Sequence, residues 1–201
     1  TKYLIHRPIN LDNLLKCNFI TPEYNNPEIY NTFDINPTDT LLYLTDCPTD
    51  GILNNILDKV NYFQKKNADI YKLYNLNDIK LLFELTDFHK FLIIDSDNNI
   101  KSFVCFFDFI IPQIHNNYKS SSIYMMYFKD YNCHSIKTTL ELISHYCYKH
   151  NIIDVLTFHD IFPIDNYDTL KCLVGECKTR YYLFNKYMSK ISPDKNMFMA
   201  I

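Results

Sequence analysis

Residues 90–112 read KFLIIDSDNNIKSFVCFFDFIIP, two apolar runs rich in β-branched and aromatic residues separated by the polar tetrad Ser96-Asp97-Asn98-Asn99. Runs of this length around Asp and Asn predict a β-hairpin, and a hairpin this apolar commits the chain to a buried sheet. Ahead of it the period is helical. In PTDGILNNILDKVNYFQKK the residues Ile52, Ile56, Lys59, Val60 and Phe63 fall on one face, with Thr49 or Asp50 as the cap, and NLNDIKLLFELT repeats the pattern in a shorter helix. A short helix entered through Asn10 (PINLDNLLKCNF), an Asn- and Pro-rich loop from Thr21 to Thr40 and a strand at LLYLT come first.

After the hairpin, SSIYMMYF reads as a further strand. SIKTTLELISHYCYKH follows as a helix capped by Ser135 with the stripe Ile136, Leu140, Ile143 and Cys147, and IIDVLTF as a buried strand. A short helix at NYDTLKCL and strands at TRYYLFNKYM and NMFMAI complete the list. Helices on one mixed, mainly antiparallel sheet make an α+β domain.

Composition narrows the function classes. A formal charge of -3 with scattered Lys and Arg leaves no phosphate track, so nucleic acid is not an expected partner. No apolar run reaches the length of a membrane span, and the opening Thr1-Lys2-Tyr3-Leu4-Ile5-His6 lacks a signal-peptide layout, so a chain working in the cytoplasm is expected. The seven cysteines form no Cys-x-x-Cys pair, which points to a reduced compartment; Cys172, Cys177, His145 and His150 match no zinc spacing, and no metal is expected. Thr1 is not Met, so a processed chain or a piece of a longer one is expected.

The element order resembles that of the GNAT acyltransferases, whose fourth strand feeds a helix that binds the pyrophosphate of an acyl-CoA. Such a site needs free backbone N–H groups, usually opened by glycine. The equivalent segment here, FKDYNCHS at 128–135, has no Gly, and Asp130 would repel phosphate. The scaffold therefore reads as GNAT-like without the cofactor loop.

Several segments then resemble one family, the eukaryotic glycylpeptide N-myristoyltransferases, in their C-terminal half. YLIHRPINLDNLLKCNF is similar to the family's Tyr-x-His-Arg-x-(Leu/Ile)-Asn segment, KFLIIDSDNNIKSFVCFF to its hairpin, and IIDVLTF to its Gly-Phe-Asp-Val-Phe-Asn strand. The most specific likeness is KCLVGECKTRYYLFN to Lys-Phe-Gly-x-Gly-Asp-Gly-x-Leu-x-Tyr-Tyr-Leu-Tyr-Asn. The resemblance implies that residues 1–201 are the peptide-binding half of an enzyme that moves myristate from myristoyl-CoA to the N-terminal glycine of nascent proteins. Myristoyl-CoA would then be a co-substrate held by the enzyme's N-terminal half, a further expected partner, with no cofactor bound by this half.

The same resemblance implies the site. The α-carboxylate of Ile201 would take a proton from the glycine ammonium, so that the amine attacks the thioester directly. An α-amino group has a reference pKa of about 8 and a terminal carboxylate one of roughly 3.3 to 3.7, so partial burial by the apolar NMFMAI would have to raise the latter. His6, Gln113, Tyr124, Thr157, Gly175, Glu176 and Ala200 would line the peptide groove, Glu176 pairing with a basic side chain downstream of the glycine. Leu4 stands where the family has Tyr, and Cys177 replaces the second glycine of Gly-Asp-Gly, which puts a positive φ there in question.

Read without the family, these residues have plainer roles: His6 on the surface, Glu176 and Arg7 as solvated charges, Tyr124 as sheet filler, Asp154 as a buried structural acid. Two other functions stay open on the residues alone, a stand-alone GNAT-type acyltransferase and a non-catalytic peptide-binding module.

Overall fold

The structure, a computed structural model, describes residues 2–35, 38–69, 71–113, 116–164 and 167–179, with side chains through Glu176 in the last segment. The predicted hairpin is its centre. Strand β3 (Phe88–Ile94) turns through Asp95, whose carboxylate accepts from the backbone of Asp97 and Asn99, into β4 (Ile100–Ile111). Strand β5 (Tyr118–Phe128) pairs antiparallel with β4, and β2 (Thr40–Tyr43) pairs with the other edge of β3. With β6 (Val155–His159), β1 (Lys2–Pro8) and β7 (Leu173–Thr179) these make a seven-stranded sheet of order β2-β3-β4-β5-β6-β1-β7. Only β5 and β6 run parallel, joined by helix α5 (Cys133–His150), so the fold is α+β with a mixed, mainly antiparallel sheet.

Both faces are covered, which is why β4 is apolar on successive residues rather than alternately. On the first face lie α3 (Asp50–Asn67) and α4 (Leu76–Glu84); Phe63 meets Tyr127 edge-on at 6.0 Å, and the buried Lys90 Nζ donates to the Leu82 carbonyl at 3.2 Å. Helix α4 opens with a capping box between Asn75 and Asp78. On the second face lies α5, whose predicted stripe of Ile136, Leu140, Ile143 and Cys147 is buried. Helix α1 (Leu11–Lys16) closes the first face below β5 and β6, and the short α2 (Pro27–Tyr30) lies within the predicted 21–40 loop.

Several expectations are corrected. The first strand, Lys2–Pro8, was not legible, because Arg7 and Lys2 break its apolar pattern. Both are buried, and Arg7 is not a solvated charge: its guanidinium donates to the carbonyls of Pro8 and Tyr30, at 3.0 and 3.2 Å, and lies 3.7 Å from Glu141. Glu141 also pairs with Lys171 at 3.1 Å, so the buried charges offset one another. In α3 the buried stripe is Leu53, Ile56, Leu57, Val60, Phe63 and Gln64; it is centred one residue later than expected and leaves Ile52 exposed. Asn132, not Ser135, caps α5, its side chain accepting from the Ser135 amide at 2.9 Å. NYDTLKCL forms a 3-10 turn at Tyr167–Leu170 and then leads into β7. The strands expected at TRYYLFNKYM and NMFMAI lie outside the described residues, apart from Thr179 at the end of β7.

Asp154 is the structural acid expected. Its carboxylate accepts from Asn10 Nδ2 at 2.9 Å, Asn13 Nδ2 at 2.8 Å and the Lys119 amide at 2.7 Å, and its carbonyl accepts from the amides of Ile9 and Asn10. Three charge-assisted bonds fix the start of α1 against β5 and β6.

Candidate functional site

The sheet register brings together three residues that lie far apart in sequence. His6 on β1 is opposite Thr157 on β6, which is level with Ser122 on β5. Thr157 Oγ1 lies 3.0 Å from His6 Nδ1 and 3.0 Å from Ser120 Oγ, so a hydroxyl row runs under the imidazole. Burial pushes His6 down to about 4, so the ring is neutral near pH 7. On its far side is Gly175 of β7: a Cβ there would stand 2.8 Å from His6 Nε2 and 3.0 Å from the Leu4 carbonyl. This glycine is required by close approach, because no glycine among the described residues has a positive φ.

Between Ile5 and Tyr3 on β1, the partner strand advances from Val174 to Lys178, so Gly175, Glu176 and Cys177 face Leu4 alone. This bulge carries Glu176 outward into solvent. Across from it, the chain leaving α1 reverses at Asn18, whose φ is 56°, and sets Phe19 edge-on to His6 at 5.2 Å. A groove of about 470 Å³ results, with His6, Phe19, Tyr24, Asp168, Gly175 and Glu176 in its walls. Among the described residues, its lining holds two acidic side chains and no Lys or Arg.

Of the residues singled out from sequence, His6, Gly175 and Glu176 share this groove, and Thr157 stands behind His6. Tyr124 is not in it. It occupies a bulge in β5, where its hydroxyl accepts from Lys72 Nζ at 3.1 Å and its ring meets Phe88 and Tyr74. Gln113 is exposed in the β4–β5 connection, outside the groove lining. Ala200 and Ile201 lie outside the described residues. Sequence reasoning missed Ser120, Phe19 and Asp168; the triplet Ser120-Ser121-Ser122 ahead of the apolar run Ile123–Phe128 was the available signal for the first.

The far end of the β5–β6 pair is different. Strands β5 and β6 pair only through Ser120–Ser122 and Val155–Thr157, and β5 then runs on to Phe128 with no ladder to β6. The gap is filled from within: Phe162, buried, packs against Phe128 at 5.7 Å and Phe158 at 5.1 Å, while the Tyr131 hydroxyl donates to the Ile161 carbonyl. At the α5 N-terminus the Ser135 amide is taken by Asn132, and the adjoining hollow, about 90 Å³, is lined by both Asp39 and Asp130. Lys101 lines it too and pairs with Asp39 at 2.8 Å, which leaves Asp130 as the carboxylate that opposes a pyrophosphate there. Among the described residues, no group of three or more His, Cys, Asp or Glu is placed to hold a metal, and no helix is long and apolar enough to cross a membrane.

A mixed sheet with one parallel pair joined by a helix, and a splay beyond that pair, is the GNAT-like N-acyltransferase fold. More particularly, it is the fold of one half of an N-myristoyltransferase. A Saccharomyces cerevisiae N-myristoyltransferase crystallised with bound myristoyl-CoA superposes with a TM-score of 0.62 at 18% identity, covering 87% of this chain and 45% of that one. A structure of the same yeast enzyme with bound myristoyl-CoA and inhibitors gives 0.62 at 17%, over 87% and 46% of the two chains. A third gives 0.56 at 16%, over 84% and 45%. The chain thus spans about half the length of the enzyme it resembles. No protein-family model matches it, and no curated protein matches it in sequence.

Proposed function

We propose that this chain is the peptide-binding half of a cytoplasmic glycylpeptide N-myristoyltransferase, working with an N-terminal half that holds myristoyl-CoA. The observation that carries the reading is a contrast within the chain: an open, acid-lined groove at His6, Gly175 and Glu176, and a filled splay with a capped helix N-terminus where a CoA would otherwise lie. Acidic walls suit a peptide with basic residues after its N-terminal glycine, Glu176 pairing with one of them. The neutral His6 offers a hydrogen bond without adding a charge.

In this reading the α-carboxylate of Ile201 accepts a proton from the glycine ammonium. The freed amine attacks the thioester carbonyl, the C–S bond breaks, and the leaving thiolate of CoA takes up the proton that the new amide nitrogen sheds, with no covalent enzyme intermediate. The test joins this chain to its acyl-CoA-binding half and appends one residue after Ile201. Turnover is expected to collapse while peptide affinity changes far less. Unchanged turnover would remove the carboxylate from the mechanism.

A further inference from the structure

We infer that Ser120 and Thr157 hold His6 in the tautomer with its proton on Nε2, so that the groove meets its ligand there as a hydrogen-bond donor and takes an oxygen acceptor.

The inference rests on counting protons along the row Ser120 Oγ, Thr157 Oγ1, His6 Nδ1, whose two links are both 3.0 Å. A neutral imidazole has one donor and one acceptor nitrogen, and each hydroxyl has one proton. In one order Ser120 donates to Thr157, and Thr157 donates to Nδ1, so the ring proton sits on Nε2. With the proton on Nδ1 instead, that nitrogen donates to Thr157, and either Thr157 donates to Ser120, which leaves the Ser120 proton without an acceptor among the described residues, or Ser120 also donates to Thr157, which leaves the Thr157 proton without one; both hydroxyls are buried, so water does not replace it. An orphaned buried donor disfavours both arrangements by roughly ten- to a hundredfold. The row therefore runs toward the ring.

Nε2 has no hydrogen-bond partner among the described residues, and it faces the point where Gly175 lacks a Cβ, in the wall of the groove. Its proton is left for a ligand. A peptide carbonyl or a side-chain hydroxyl satisfies it; an ammonium group does not, and is drawn to Glu176 instead. The ligand class rests on the peptide-binding reading, whereas the tautomer does not. Ser120 and Thr157 are positioning residues, since they act through His6.

The experiment is nitrogen-15 spectroscopy of the histidine rings in the 201-residue chain at neutral pH, with H6Q used to assign the His6 signals. A pyrrole-type Nε2 and a pyridine-type Nδ1 are expected. Thr157→Val should move both resonances toward intermediate values, as the two tautomers mix. A proton on Nδ1, an even mixture in the unaltered chain, or a T157V spectrum identical to it would overturn the proposal. Should T157V fail to fold, the unaltered chain still decides: the Thr157 hydroxyl proton, slowed in exchange by burial, should correlate with Nδ1, and a correlation from Nδ1–H instead would be contrary. Adding a glycine-initiated peptide separates the two readings. An intact Nε2–H that no peptide perturbs leaves the tautomer standing and removes the peptide.

Discussion

The two ends of the β5–β6 pair have opposite fates. Past Thr157 the strands diverge, as they do where a GNAT-like fold admits an acyl-CoA, yet Phe162, Tyr131 and Phe158 fill the opening. At the paired end, Ser120 and Thr157 are polar and buried, and one strand away the wall opens at His6 and Gly175. The lesson is that one sheet can close a strand divergence with aromatic side chains and still leave a groove open at a different edge.

Emptying the filled end should give the largest effect. Phe162→Ala removes a buried ring that touches Phe128, Phe158 and Tyr131, and a loss of about 3–5 kcal/mol in chemical denaturation is expected. A loss under about 1 kcal/mol would mean that the divergence is not part of the core. At the open end the expected effect is smaller and of a different kind. Gly175→Ala places a methyl 2.8 Å from His6 Nε2 and 3.0 Å from the Leu4 carbonyl, so β7 or the imidazole must shift. Peptide affinity should fall roughly tenfold, with unfolding stability changed by no more than about 1 kcal/mol. Equal losses in both measurements would make the close approach structural rather than part of a binding wall.

The smallest effect concerns pH. Burial holds His6 down at about 4, and burial together with Lys2 does the same for His159, against an ordinary value of 6.5. Folded values below the unfolded one mean that the folded state binds fewer protons. Their contribution is complete above pH 6.5 and drains away as pH falls toward 4. Urea unfolding at pH 7 and pH 4.5 reads this directly, and equal stability in H6Q and the unaltered chain at both would exclude His6 from it.

The fold was legible in sequence to different degrees for physical reasons. The hairpin at 90–112 and the stripe Ile136, Leu140, Ile143 and Cys147 were readable because period and burial agree. Strand β1 was not, since Arg7 and Lys2 are buried by tertiary partners such as Glu141 that no local window contains. The site divides in the same way. His6, Thr157, Gly175 and Glu176 entered through resemblance to a family. Asp154 announced itself as a charge in an apolar strand, and its amide partners bore that out. Ser120, Phe19 and Asp168 depend on the β5–β6 register, the turn after α1 and the 3-10 turn before β7, all settled by packing between distant segments.

The proposed division between a filled cofactor side and an open peptide side is tested most directly by calorimetric titration of the 201-residue chain with CoA and, separately, with a glycine-initiated peptide carrying a downstream lysine. The expected result is no heat from CoA and saturable binding of the peptide. Glu176→Gln should weaken that binding by roughly two- to fivefold, as suits an exposed ion pair, without affecting a lysine-free control. Saturable binding of CoA, with the peptide silent, would contradict the account.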